Sequence, residues 1–437
     1  MSGFPQSGGV LDHWGGNLAW SLAGQCAPIV AAIFTIPILI QKLGMDRFGI
    51  LSLVWTLAGY FNLFDLGMGR ALAQVVAEKR GQNGGEIPGL VWTTLCYTFG
   101  LGCAAALLLC LVAPWLVYRA LTIPDDLQLE ALHSLRLLAI CVPVVMSAAI
   151  LRGVLEAHTR FRETNALRII TGLLIFLGPM LVLPFSMRLF PIVAMLAVTR
   201  GLDGLAHLLL CIRIVGAPRR ERLWKGQQMQ ALLRLGGWIT ISNIISPLMV
   251  YVDRFLIGAM VSMAAVAYYT VPYDMVTHMG TIPGALVVLL FPAFSIHYKQ
   301  DRDLTRRLFG KGVQYTALAL LPVAAMIVLL ADTGLRWWVG AEFADRGTRV
   351  LQWLALGRFV NGLAQIPFSF LQGIGRPDIT AKLHLAELLP YAALAWSLTR
   401  VGGIEGTAIA WVVRVGADAL LLFAMARRFL RADVSRP

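Results

Sequence analysis

Charge is what this sequence has least of. Only 14% of its 437 residues are Asp, Glu, Lys or Arg, against roughly a quarter in an ordinary soluble domain, while 58% are hydrophobic. A chain so poor in charge cannot cover its surface with water-compatible groups, so a soluble fold is excluded. Cysteine is sparse as well. The six (Cys26, Cys96, Cys103, Cys110, Cys141, Cys211) all lie in apolar stretches, with no CxxC and no ligand-spaced His or Asp beside them. That excludes a disulfide scaffold and a zinc site, and no metal or other cofactor is expected. The first fifteen residues contain neither Lys nor Arg, and the apolar run after them continues to Ile40. This predicts a retained first span and not a cleaved signal peptide.

What is present is long apolar segments in series. A hydrocarbon core of about 30 Å takes about 20 helical residues. Segments of that kind are predicted at 16–40, 48–67, 89–117, 135–155, 166–187, 190–214, 235–260, 264–296, 312–331, 348–371, 382–399 and 404–426. The expected fold class is therefore all-α, a polytopic membrane protein of about twelve helices.

The net charge of +13 would in a soluble protein suggest nucleic acid, but here the basic residues sit in short runs between spans, so no nucleic-acid partner is expected. The connections after even-numbered spans, together with the C-terminal tail, hold 24 Lys and Arg. The opposite side holds 8, and five lie within spans. By the positive-inside rule both termini face the cytoplasm.

The second half echoes the first. Pro28 in span one aligns with Pro247 in span seven; Leu151-Arg152-Gly153-Val154 aligns with Leu371-Gln372-Gly373-Ile374; and Val198-Thr199-Arg200, with Asp203 following, aligns with Val412-Val413-Arg414, with Asp418 following. Three matches in one order predict two related six-helix lobes, 1–218 and 235–437, joined by a cytoplasmic linker at 219–234.

Charges inside hydrocarbon are costly and therefore mark candidate functional positions. Depth along each helix sorts them. Arg254 lies about 28 Å along its span, which predicts the outer interface, and Asp65 ends span two. Arg200 with Asp203, Asp274, Arg358, and Arg414 with Asp418 fall near the midplane. Residues three or four apart share a helix face, so Arg200–Asp203 and Arg414–Asp418 are each either a self-neutralising pair or a site. Arg358, in LALGRFVNGLAQIP, has no acid within a turn. Its guanidinium must meet water, another helix or an anionic ligand. Asp274 with His278 one turn on, and Glu387 in span eleven, are candidates either for proton coupling or for helix-packing hydrogen bonds. Prolines interrupt many spans, and bent helices one and seven would suit alternating access. Trp14, Trp115, Trp337 and Trp338 read as interfacial anchors.

The run IPILIQKLGMDRFGILSLVWTLAGYFNLFDLGMGRALAQVVAEK, with YVDRFLIGAMVSMAAVAYYTVPYD and FLQGIGRPDITAK in the second half, resembles the Wzx-type polysaccharide flippases of the multidrug/oligosaccharidyl-lipid/polysaccharide exporter superfamily. The resemblance implies a two-lobed transporter of the bacterial inner membrane. Its substrate would be an undecaprenyl-diphosphate-linked glycan destined for O-antigen, capsule or exopolysaccharide, and its partners membrane lipid, a polysaccharide polymerase and a chain-length regulator. In a cationic cavity of the kind that family has, Arg358, Arg414 and Arg200 would be the substrate-binding residues here. A cation-coupled multidrug exporter of the same superfamily is the alternative, but midplane arginines argue against cationic cargo. An enzyme such as a membrane-embedded polymerase would need an acid-rich outer loop. The longest outer connections, 118–134 and 332–347, are short, and Asp332, Glu342 and Asp345 form no such constellation.

Overall fold

The computed structural model describes residues 27–63, 69, 72–73, 75–76, 87–217, 249 and 251–431. Asp65, Pro247, Trp14, Cys26 and the 219–234 linker lie outside them. Every regular element among the described residues is helical. The elements are α1 (Ala27–Leu43), α2 (Met45–Leu63), α3 (Ile87–Trp115), α4 (Asp125–Ala157), α5 (Phe161–Val182), α6 (Leu189–Val215), α7 (251–260), α8 (Met263–Thr277), α9 (Thr281–Gln300), α10 (Arg302–Trp338), α11 (Ala341–Gly373) and α12 (Pro377–Arg431). Seven of the described helical stretches are long and apolar enough to cross a membrane. Contacts divide the chain into compact units at Met1–Ile244 and Ile245–Pro437.

The helices hold together without a water-driven inside and outside. Large apolar side chains such as Leu107, Leu108, Leu329 and Leu389 point outward, as they do where lipid is the solvent. Several hydroxyls facing inward bond within their own helix. Thr35, Ser52, Thr56, Thr94, Thr98, Thr199 and Thr316 each donate to the carbonyl four residues earlier. Close packing comes from small residues. At the aligned positions Gly153 and Gly373, an added Cβ would stand 2.8 Å from the Gly69 carbonyl oxygen and 3.2 Å from that of Phe291. Each glycine thus lets one helix backbone lie directly on another.

Two places in the second unit depart from a simple rod. The stretch predicted as one span at 264–296 is broken: α8 ends at Thr277, His278–Gly280 form a 3-10 turn, and α9 resumes at Thr281. Pro283, in the first turn of α9, accounts for the break, because its ring would collide with the Met279 carbonyl in a continuous α-helix. The Thr281 N–H turns to the His278 and Met279 carbonyls, so the Thr277 carbonyl loses its helical donor.

The second departure is in α12. Its 55 residues would reach about 80 Å if straight. Instead the chain reverses at Gly403 (φ 55°, ψ −135°), and its two arms, 377–402 and 404–431, run back along each other. At the turn Thr399 and Thr407 share a hydroxyl hydrogen bond at 2.7 Å. At the ends of the arms, Arg376 forks onto Asp378 at 2.9 and 3.1 Å, which holds that exposed carboxyl below the ordinary range. Arg302 donates to the Phe429 carbonyl and Arg306 to that of Leu430, in the last described turn of α12.

Candidate functional site

The second unit encloses a cavity of about 370 Å³ lined by Tyr273, Arg358, Asn361, Trp411, Arg414 and Asp418, among others. Tyr273 comes from α8 and Val287 from α9, α11 supplies Arg358 and Asn361, and the arms of α12 supply His384, Trp411, Arg414 and Asp418.

Arg358 is neither free nor ion-paired. Its Nη1 donates to Asn361 Oδ1 at 3.0 Å and its Nη2 to the Thr277 carbonyl at 3.1 Å, the carbonyl orphaned by the helix break. The guanidinium lies so close to Gly280 that a Cβ there would come within 2.1 Å of Nη2. Its buried Nε has no protein partner. Of the three fates the sequence left open for this side chain, the structure shows attachment to another helix with one donor still unused.

Arg414 shares the cavity wall with Asp418, one turn on, but makes no ion pair with it within 4 Å. It faces Glu387 on the opposing arm at 3.7 Å, with both side chains only 10% exposed, and lies 5.1 Å from the centre of the Tyr391 ring. A hairpin places residues 387 and 414 opposite each other, and so the predicted Arg414–Asp418 pair is replaced by a cross-arm pair. Arg200 and Asp203 do not pair either. Asp203 contacts His207 at 3.3 Å, and the Arg200 Nε is buried without a partner. Arg200 belongs to the first unit, on α6, near Arg152 and Cys141, while Arg358 and Arg414 share the cavity of the second.

Asp274 accepts from Arg254 Nη2 at 3.1 Å, and His278 opens the 3-10 turn one helical turn away. Depth put Arg254 at the outer interface. The structure adds which way it faces: its side chain is 3% exposed and lies 4.5 Å from the Tyr273 ring and 5.6 Å from that of Tyr251. Depth arithmetic gives position along a helix but not which face points into protein.

Beside it lies a group the sequence reading passed over. Asp253 is fully buried and accepts from the Tyr269 hydroxyl at 2.8 Å and from the Tyr391 hydroxyl. An Asp inside YVDRFLIGAM was the available signal, masked by the Arg that follows it. This carboxylate ties α7 to α8 and α12. Its removal would strand two buried hydroxyls at ~1–3 kcal/mol each. Asp253→Ala is therefore expected to lower the thermal midpoint of the detergent-purified chain more than Asp253→Asn, which keeps an acceptor. Equal midpoints for the two variants would contradict this role.

The family described as "Polysaccharide biosynthesis protein" matches residues 38–348. A Shigella flexneri protein named "Putative O-antigen transporter" is 32% identical over 412 residues, covering 93% of this chain and 96% of its own. In three dimensions the chain is similar to an inward-facing multidrug resistance transporter of the MATE family, MOP superfamily (TM-score 0.79, 13% identity, 94% of this chain and 98% of that one). It is also similar to the lipid II flippase MurJ in its inward closed conformation (TM-score 0.76, 13% identity, 94% and 87%). At such identities the structural likeness establishes the fold alone. The sequence match is stronger evidence, and on it the chain belongs to the polysaccharide biosynthesis protein family.

Proposed function

We propose that this chain is a flippase, not an enzyme, that carries polyprenyl-diphosphate-linked oligosaccharide across the bacterial inner membrane for O-antigen or related surface polysaccharide. The observation that carries the reading is Arg358 and Arg414 on the wall of one cavity in a chain of this family. Guanidinium groups bind diphosphate oxygens through paired, charge-assisted hydrogen bonds.

Two six-helix lobes, 1–218 and 235–437, with a linker at 219–234 and both termini in the cytoplasm would rock about the substrate. Support comes from the aligned glycines Gly153 and Gly373, each seated on another helix's backbone. In this reading Arg200 is the first lobe's counterpart of Arg414. A polymerase and a chain-length regulator would act on the delivered glycan. Asp274, with Arg254 already bound to it, serves packing better than proton coupling.

Deleting the gene is expected to strand the lipid-linked unit in the cytoplasmic leaflet and remove surface polysaccharide. A null strain with normal surface glycan overturns the proposal, all the more if overexpression raises resistance to cationic drugs.

A further inference from the structure

The cavity has a charge balance that a binding site for a diphosphate should not have. Its two guanidiniums, Arg358 and Arg414, are matched by two carboxylates, Asp418 on its wall and Glu387 beside Arg414. If both acids were ionised, the pocket would be neutral. The acids also lack donors. Both Glu387 oxygens and Asp418 Oδ1 are buried with no hydrogen-bond partner, and Asp418 is only 5% exposed. Yet the two carboxyls converge on one guanidinium: Glu387 reaches Arg414 from the opposing arm, and Asp418 follows Arg414 by one turn on the same arm and shares its cavity wall. Two bare carboxylates so placed repel, and a proton between them removes the repulsion and supplies the missing donor.

We propose that Glu387 and Asp418 hold one proton between them, and that this proton sets the net charge the cavity offers to its ligand. With the proton in place, one O–H donates to the other carboxylate, the pair carries a single negative charge, and the pocket is net cationic. When the proton leaves to water, the second carboxylate cancels the remaining positive charge. The consequence for substrate rests on the anion-binding reading above; the shared proton itself does not.

The other ionisable groups facing the pair fit this arrangement. From α12 come Arg414 at 3.7 Å from Glu387, Tyr391 under Arg414, and His384, which is near Asp418 and stacks on Phe368 at 5.9 Å. From α11 comes Arg358 and from α8 Tyr273, both on the cavity wall. From α7 come Asp253, occupied by two tyrosines, and Arg254, occupied by Asp274. His384 is the one alternative seat for the proton. A protonated imidazole beside two carboxylates has no carboxylic C=O, and that separates the two cases.

The test is infrared spectroscopy of the purified full-length chain at neutral pH. The wild type is expected to show a protonated-carboxyl C=O band that disappears in both Glu387→Gln and Asp418→Asn, since either acid left alone beside Arg414 ionises. It should persist in the exposed control Asp303→Asn. Absence of the band in the wild type, or its survival in either variant, overturns the shared proton without touching the flippase reading. In a second arm, farnesyl diphosphate is titrated against the same chain. Wild-type affinity should fall by about tenfold as pH rises and the proton leaves, whereas Glu387→Gln should be flat with pH. A pH-dependent wild type with an equally pH-dependent Glu387→Gln overturns the link between this proton and the ligand. If farnesyl diphosphate does not bind at any pH, it is the anion reading of the cavity that falls, and the infrared result still decides the proton.

Discussion

Arg358→Ala is expected to cut export of the lipid-linked glycan by about 10- to 100-fold, corresponding to loss of ~1.5–3 kcal/mol of charged hydrogen bonding, and Arg358→Lys by nearly as much. The Lys result follows from geometry. The guanidinium fork reaches Asn361 and the Thr277 carbonyl at the same time, on the wall of the cavity. An ammonium is a single point and cannot hold both partners in that plane while offering a donor to a ligand. Gly280→Ala supplies the complementary test. Its new Cβ would collide with the far end of the Arg358 side chain, at 2.1 Å from Nη2. A flexible tip yields where a backbone would not, so the chain should accumulate normally while the guanidinium moves off the helix break. Export in the Gly280→Ala variant is expected to fall toward the Arg358→Lys level. Pulse-labelled lipid-linked glycan reaching the outer leaflet, set against the amount of protein in the membrane, measures all three. Wild-type export by Arg358→Lys would mean that charge alone suffices, and wild-type export by all three would remove Arg358 from the substrate path.

How much of this was legible in the sequence follows from which forces each feature depends on. Helical class and membrane location depend on apolar length, which composition reports directly, and the described helices α3 to α6 and α10 to α12 fall on predicted spans. The aligned half-repeats pointed to Gly153 and Gly373, where an added Cβ would stand 2.8 Å and 3.2 Å from a backbone oxygen of another segment. Partner choice among buried charges was not legible. Spacing on one helix favoured Arg414 with Asp418, but the hairpin brings Glu387 across from the other arm, a contact between residues 27 positions apart. Arg254 shows the same limit: Asp274 lies 20 residues away and becomes its partner only because α7 and α8 pack together. Asp253 and His384 were missed because each matters through residues brought to it by tertiary packing. Arg358 is intermediate. Its lack of a local acid singled it out, while the orphaned Thr277 carbonyl that holds it depended on a helix break that Pro283 implied and hydropathy hid.

The hairpin on which the cavity depends makes Gly406→Ala the most damaging small substitution in the second unit. A Cβ at this position would stand 2.0 Å from the Leu398 carbonyl oxygen and 2.7 Å from its carbon. Both are backbone atoms in an adjacent arm, so neither can swing aside. The arms must spread, which breaks the Thr399–Thr407 hydrogen bond and pulls Glu387 away from Arg414. Separating that buried pair and loosening the packing around it places the cost at ~3–5 kcal/mol, comparable to the whole stability of many domains. The variant is expected to vanish from the monodisperse peak in size-exclusion chromatography of detergent extracts. Two neighbours calibrate the argument. Gly403 has φ 55° but open space around it, so Gly403→Ala should cost only the backbone strain of ~1–3 kcal/mol. Gly402 has neither positive φ nor a close neighbour, and Gly402→Ala should behave as wild type. The expected order is thus set by contact and dihedral angle and not by distance from the turn. A Gly406→Ala chain as abundant and monodisperse as Gly402→Ala would show that the arms do not meet there, and the placement of Glu387, Arg414 and Asp418 around one cavity would fall with it.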